Sequence, residues 1–186
     1  MRIFIFFALL LILPVTSPAT DYQGNCTVAF EGSSTLHDFN GKGSCEPFIA
    51  SENAGVIIVP ELTVAVSDMD TDNSSRDKKM RKMFEAEKYP LIKCMSGPIS
   101  LSDIRKALEE NIDSTPTLLF QLKIRDIEKP VTAVLQNIVE TEGNITADLT
   151  FTLSLADYQL KAPSVLGIIR VGDSIKVTTS FILDSP

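Results

Sequence analysis

The feature that most constrains this chain is an alternation of period two in its C-terminal half. In Ile145-Thr-Ala-Asp-Leu-Thr-Phe-Thr-Leu153 and Ile175-Lys-Val-Thr-Thr-Ser-Phe181, large apolar residues take turns with small or polar ones, and Leu62-Thr-Val-Ala-Val66 repeats the pattern. Successive side chains of a β-strand point to opposite faces, so each such run buries one set and leaves the other in water. About eight runs of this kind occur, near 26–31, 42–50, 55–68, 90–99, 116–127, 130–140, 144–156 and 173–184. Asn40-Gly41, Glu142-Gly143-Asn144 and Val171-Gly172-Asp173 read as turns between them. The fold class is therefore all-β. Eight antiparallel strands close a barrel able to hold one small ligand; a β-sandwich uses the same pattern, and periodicity does not separate the two.

Two segments break the alternation. Ser74 to Glu87 has good helix formers, with Met80, Met83 and Phe84 on one face, Ser74 and Asp77 as a capping box, and Tyr89-Pro90 as a stop. Arg76 is expected to pair with a nearby carboxylate. Leu101 to Ile112 repeats the logic, with Ser100 and Asp103 as cap and Leu101, Ile104, Leu108 and Ile112 on one face. Both read as short amphipathic helices lying on the barrel. Lys78, Lys79, Arg81 and Lys82 crowd into the first of them. Such a run is either a solvated face or a membrane-contact patch for transient meeting with anionic lipid headgroups.

The N-terminus specifies the compartment. Arg2 precedes the apolar run Ile3–Leu13, Pro14 breaks it, and Ser17-Pro18-Ala19 presents small residues for cleavage. This is the pattern of a secretory signal peptide, 1–19, cut after Ala19 to leave one domain, 20–186, in the periplasm or outside the cell. The run is short of the roughly 20 residues that span a bilayer. With a net charge of −7, the chain repels phosphate, and nucleic acid is excluded as a partner. Three cysteines in an oxidising compartment imply one disulfide and one free thiol. A hairpin centred between Thr35 and Leu36 places Cys26 opposite Cys45, so the expected bridge is Cys26–Cys45 with Cys94 free.

Reactive chemistry is poorly represented. His37 is the sole histidine, and its neighbour Asp38 would point to the opposite face of a strand; it reads as a turn residue and not as a general base. One imidazole without a cysteine cluster makes no zinc site. A secreted hydrolase would need a nucleophile elbow, and the chain has no GxSxG. No catalytic residue, metal or cofactor is expected. Sequons also occur at Asn25, Asn73 and Asn144.

Several short motifs, taken together and in order, resemble one family. Ser34-Thr35-Leu36-His37-Asp38-Phe39-Asn40-Gly41 is similar to the entry into the second strand of YceI-like proteins. Asp70-Thr71, Arg76-Asp77, Met80, Ala86 and Tyr89-Pro90 resemble that family's most distinctive stretch. Lys129-Pro130-Val131 resembles its mid-chain strand start, and Leu155-Ala156-Asp157-Tyr158, Pro163-Ser164 and Val171-Gly172-Asp173 its C-terminal signature. One departure stands out: the family often has a glycine where this chain reads Ile124-Arg125-Asp126-Ile127-Glu128. The resemblance implies an extended, eight-stranded antiparallel lipocalin-like barrel, exported to the bacterial periplasm. It also implies a long interior that takes a polyisoprenoid or fatty-acyl chain. The expected lipid-binding set combines this with the alternation: Val64, Val66, Phe120, Leu122, Leu149, Phe151, Leu153, Val177 and Phe181, with Met83 and Phe84 from the helix. The competing reading is an exported structural or interaction domain whose core is filled, since alternation says inside without saying whether inside is hollow.

Overall fold

The computed structural model describes residues 19–109, 115–141, 143–162, 164–165 and 169–185. Residues 1–18 of the expected signal peptide lie outside these residues, as do Ile112 and the side chain of Leu108. The strands are β1 (Thr20–Ser34), β2 (Phe39–Ser44), β3 (Phe48–Asn53), β4 (Val56–Ile58), β5 (Leu62–Ala65), β6 (Leu91–Ser96), β7 (Ile99–Ser100), β8 (Thr117–Ile124), β9 (Ile127–Thr141), β10 (Asn144–Ser154), β11 (Ser164–Val165) and β12 (Ile169–Asp184). Two helices, α1 (Ser74–Met83) and α2 (Leu101–Glu109), interrupt them.

All twelve strands join one curled antiparallel sheet, in the order β5-β6-β8-β9-β10-β12-β1-β3-β4-β7, with β2 paired to β1 and β11 to β12. β1 is the pivot. One edge pairs along its length with β12; the other pairs with β3 at its start and with β2 from Thr27 onward. β2 in turn meets the far end of the path through the bridges Lys42↔Asp70 and Cys45↔Val64. The sheet thus curls back on itself, as a barrel must to protect its edges.

The strand count exceeds eight for a simple reason. Pro47, Pro60 and Pro98 fall between β2 and β3, β4 and β5, and β6 and β7. Proline has no N–H for the ladder, so three expected runs each become two strands, and the short β11 (Ser164–Val165) is a further strand outside the expected runs. Two expected turns lie inside strands: Asn40-Gly41 in β2 and Val171-Gly172-Asp173 in β12. Gly41 sits opposite Phe30, and a Cβ there would fall on the Phe30 ring; the glycine makes room for an aromatic. Gly143, at φ 84, does lie in the turn before β10.

Helix α1 starts at Ser74 but ends at Met83 and not at Glu87, and its cap lies one residue before the expected Ser74. Its cap is Asn73, whose side chain accepts from the Arg76 N–H at 3.0 Å. Asp77 reaches back instead to Thr71, accepting from its backbone N–H at 3.0 Å and its hydroxyl at 2.6 Å, and both residues are buried. Arg76 is not paired with a carboxylate; it donates to the Thr71 carbonyl at 3.4 Å and lies 5.3 Å over the Phe39 ring. For α2, the expected cap holds: the Asp103 N–H donates to the Ser100 hydroxyl at 3.2 Å.

The departure from the family pattern has a local counterpart. β8 and β9 are joined by a two-residue turn at Arg125-Asp126, flanked by the Ile124↔Ile127 pair. Arg125 has φ 58, a conformation that favours glycine and costs other residues about 1–2 kcal/mol. Its guanidinium pairs with Glu85 at 3.2 Å and lies 5.8 Å over the Tyr89 ring, so the side chain works against that cost.

Candidate functional site

The alternating strands enclose a cavity of about 570 Å³. Its walls come from the inward set of each strand. Along β10 these are Ile145, Ala147, Leu149, Phe151 and Leu153; along β12 they are Ile175, Val177, Thr179, Phe181 and Leu183. Five alternate positions span eight steps of about 3.3 Å, so the lining runs about 26 Å along the strands.

Exposure tells the same story from another side. Leu149, Phe151 and Phe181 are half-buried although they point inward, while Leu153, Val177 and Leu183 are buried. All three line the cavity. Phe120 and Phe151 meet edge to face across the interior, with ring centroids 5.4 Å apart. Helix α1 contributes Met80, Met83 and Phe84, and α2 contributes Leu101 and Ile104. The interior is hollow in this structure, unlike the filled core of the competing reading.

Ten of the eleven residues expected to face a lipid line the cavity: Val64, Met83, Phe84, Phe120, Leu122, Leu149, Phe151, Leu153, Val177 and Phe181. Val66 does not. The chain leaves β5 at Ala65 and enters a 3-10 turn at Val66–Asp68, which takes Val66, 1% exposed, into the packed core. Strand alternation stops where the strand stops.

Sequence reasoning missed other walls. Leu135 and Ile138 both line the cavity, although they are three apart on β9. The register of β9 against β10 shifts between Thr146 and Asp148, and Asn137 there has φ 51. This bulge inserts a residue and reverses which parity faces inward. The Asn137 side-chain amide donates to Asp148 at 2.7 Å and holds that carboxyl below its ordinary range, with Ser180 assisting. Cys94 is a second omission. It lines the cavity as a free thiol, and burial pushes it up to about 11. Cys26 and Cys45 also line the wall, joined by the expected disulfide with Cα atoms 5.3 Å apart.

The cationic helix is divided in its roles. Arg81 donates to the Ser67 carbonyl at 3.1 Å, whereas Lys78, Lys79 and Lys82 are exposed. Lys79 reaches the cavity wall. His37 lies in the exposed turn after β1, where its N–H and carbonyl both engage the Ser34 hydroxyl. Among the described residues, no group of histidine, cysteine, aspartate or glutamate is arranged to hold a metal.

A family model for the YceI-like domain matches residues 16–183. The chain belongs to the YceI-like domain family. The solved structure of a polyisoprenoid binding domain from Saccharophagus degradans, implicated in plant cell wall breakdown, is similar to this YceI-like chain. It has a TM-score of 0.60 and 13% identity over 91% of this chain and 100% of that one. BcnA of Burkholderia cenocepacia is also similar, with a TM-score of 0.59 and 11% identity over 84% of this chain and 95% of its own. Identities this low establish a shared fold. A comparison with curated proteins finds no match.

Proposed function

We propose that this YceI-like protein is an exported, non-catalytic carrier or scavenger that holds one polyisoprenoid or fatty-acyl chain inside its barrel. The observation that carries the reading is the continuous, almost wholly apolar wall made by alternate residues of β10 and β12. A cavity of this volume lies within the roughly 300–1,000 Å³ usual for small-molecule sites. Burying each methylene favours the bound state by about 0.8 kcal/mol, so a chain needs no directional group to be held. The similar Saccharophagus domain is described as polyisoprenoid binding, which supports an isoprenoid among the ligands. The Cys26–Cys45 bridge is consistent with an oxidising compartment and so with export. Lys78 and Lys82, exposed on α1 beside the cavity wall, would bring the carrier to an anionic membrane surface for loading.

Denaturing extraction of the purified protein, followed by lipid mass spectrometry, tests the reading. A stoichiometric apolar chain is expected. Protein isolated by several mild routes, always free of lipid and unable to take it up, would refute the proposal.

A further inference from the structure

The cavity is polarised. Where β1 begins, its lining is apolar, with Phe48, Ile57, Ile145 and Leu183. At the opposite end of β1 and β12 most polar lining residues gather: Ser34 at the end of β1, His37 from the turn after it, Asn73 at the cap of α1, and Ser75, Arg76 and Lys79 from α1, while the uncharged Ser96 and Thr179 lie elsewhere in the wall. The contact of Arg76 over Phe39 joins these two segments, so they form one mouth.

The charge at that mouth runs against the rest of the molecule. The chain has 24 acidic residues to 17 basic, yet no aspartate or glutamate lines the cavity among the described residues, while Arg76 and Lys79 both do. Three positions apart on α1, they share a helix face. Of the neighbouring acids, Asp70 and Asp72 face Lys42 at 3.9 and 4.0 Å and Asp77 is held by Thr71, while the exposed Asp38 beside His37 does not line the cavity. Neither Arg76 nor Lys79 forms an ion pair with a described carboxylate. Two cations at the rim of a low-dielectric tunnel focus a positive field on its opening. A guanidinium there, beside hydroxyl and amide donors, is suited to an oxyanion.

We infer that the preferred ligand is an anionic amphiphile, its chain in the barrel and its carboxylate or phosphate head bound at the mouth by Arg76 and Lys79. This rests on the carrier reading and narrows it from apolar chains in general to chains that end in an oxyanion. The head sets the direction of entry, because among the described residues no charged side chain lines the cavity at the opposite end.

The test uses delipidated full-length mature protein and two chain-matched pairs, palmitate with hexadecanol and farnesyl phosphate with farnesol. In at least one pair the anion should bind about ten-fold more tightly than its alcohol, a modest value for desolvated charge-assisted contacts; the pair that shows the preference identifies the head. Arg76→Gln with Lys79→Gln should abolish the preference, so that anion and alcohol of each pair bind alike. Lys79→Gln alone, at an exposed position where the fold is not at risk, should lose part of it. Equal binding of anion and alcohol in both pairs, or a preference that survives the double substitution, would overturn the inference while leaving the carrier reading intact. Binding of no ligand in either pair would retire both.

Discussion

Thr71 donates twice to the Asp77 carboxylate, from its backbone N–H and from its hydroxyl. This buried clasp fixes the start of α1 to the loop before it, and so sets where Arg76, Lys79, Met80, Met83 and Phe84 meet the cavity. Asp77→Ala leaves the Thr71 N–H buried without its acceptor and its hydroxyl with only the Asn73 carbonyl at 3.5 Å, a loss that typically costs about 1–3 kcal/mol. Urea denaturation should show that loss, and ligand affinity should fall with it because the helix wall is no longer held. Full stability in the variant would mean that the clasp is incidental.

Phe151 and Val66 separate the cavity from the core. Phe151→Glu places a charge on the cavity wall and should greatly reduce the lipid that copurifies. Val66→Ala removes volume from the packed core outside the lining; an aliphatic truncation of this kind costs about 0.5–3 kcal/mol, and lipid content should be retained. Mass spectrometry of extracts, read beside melting curves, distinguishes the two. Equal lipid loss in both variants would count against a lipid site at Phe151.

The basic face of α1 should act at membranes. Lys78→Glu with Lys82→Glu, chosen to spare Lys79 at the mouth and Arg81 on Ser67, should weaken sedimentation with anionic vesicles. Each basic residue near such a surface is worth about 1 kcal/mol, so the pair should shift the binding midpoint many-fold. Unchanged sedimentation would leave these lysines as a solvated face.

Cys94 should make stability fall at alkaline pH. Its folded value, about 11, lies above the ordinary 9.0. The folded state therefore keeps a proton that the unfolded state releases, and stability present below pH 9 is lost as pH rises toward 11. Two units correspond to at most about 3 kcal/mol. Tyr158, pushed up to about 12 by burial and then by the charges of Asp157 and Cys94, acts in the same direction from pH 10 upward. Cys94→Ala should flatten the first part of the decline. Alkylation of wild-type Cys94 should be slow at pH 7 and slower still with lipid bound; rapid labelling at neutral pH would contradict a buried thiol.

The disulfide should be required for full stability. In the chain-entropy model, closing a loop the size of that between Cys26 and Cys45 is worth roughly 3 kcal/mol. Cys45→Ser should lower the denaturation midpoint accordingly, and peptide maps of unreduced protein should show label on Cys94 alone. Label on Cys26 or Cys45 would reject the pairing.

The sequence by itself determined which side chains turn inward and which cysteines pair. Both are local properties. Strand alternation has a fixed period of two, so Leu149, Phe151 and Leu153 share a face in any fold that keeps β10. The Cys26–Cys45 pairing follows from the centre of one hairpin, and the observed register, with Thr27 opposite Ser44, is the one expected. The two helices were legible for a similar reason, from the spacing of Met80, Met83 and Phe84. What tertiary structure decided is non-local. Whether the interior is hollow depends on how many strands join the curl and how far it is drawn before β2 meets β5, and no run of residues encodes that separately. The bulge at Asn137 reverses the facing of β9 because it is fixed by Asp148 on the next strand. Val66 leaves the wall because the chain turns toward a core made by distant segments. The mouth, too, exists only in three dimensions: Ser34 and His37 line the same cavity as Arg76 and Lys79, and β2 carries Phe39 beneath the Arg76 guanidinium.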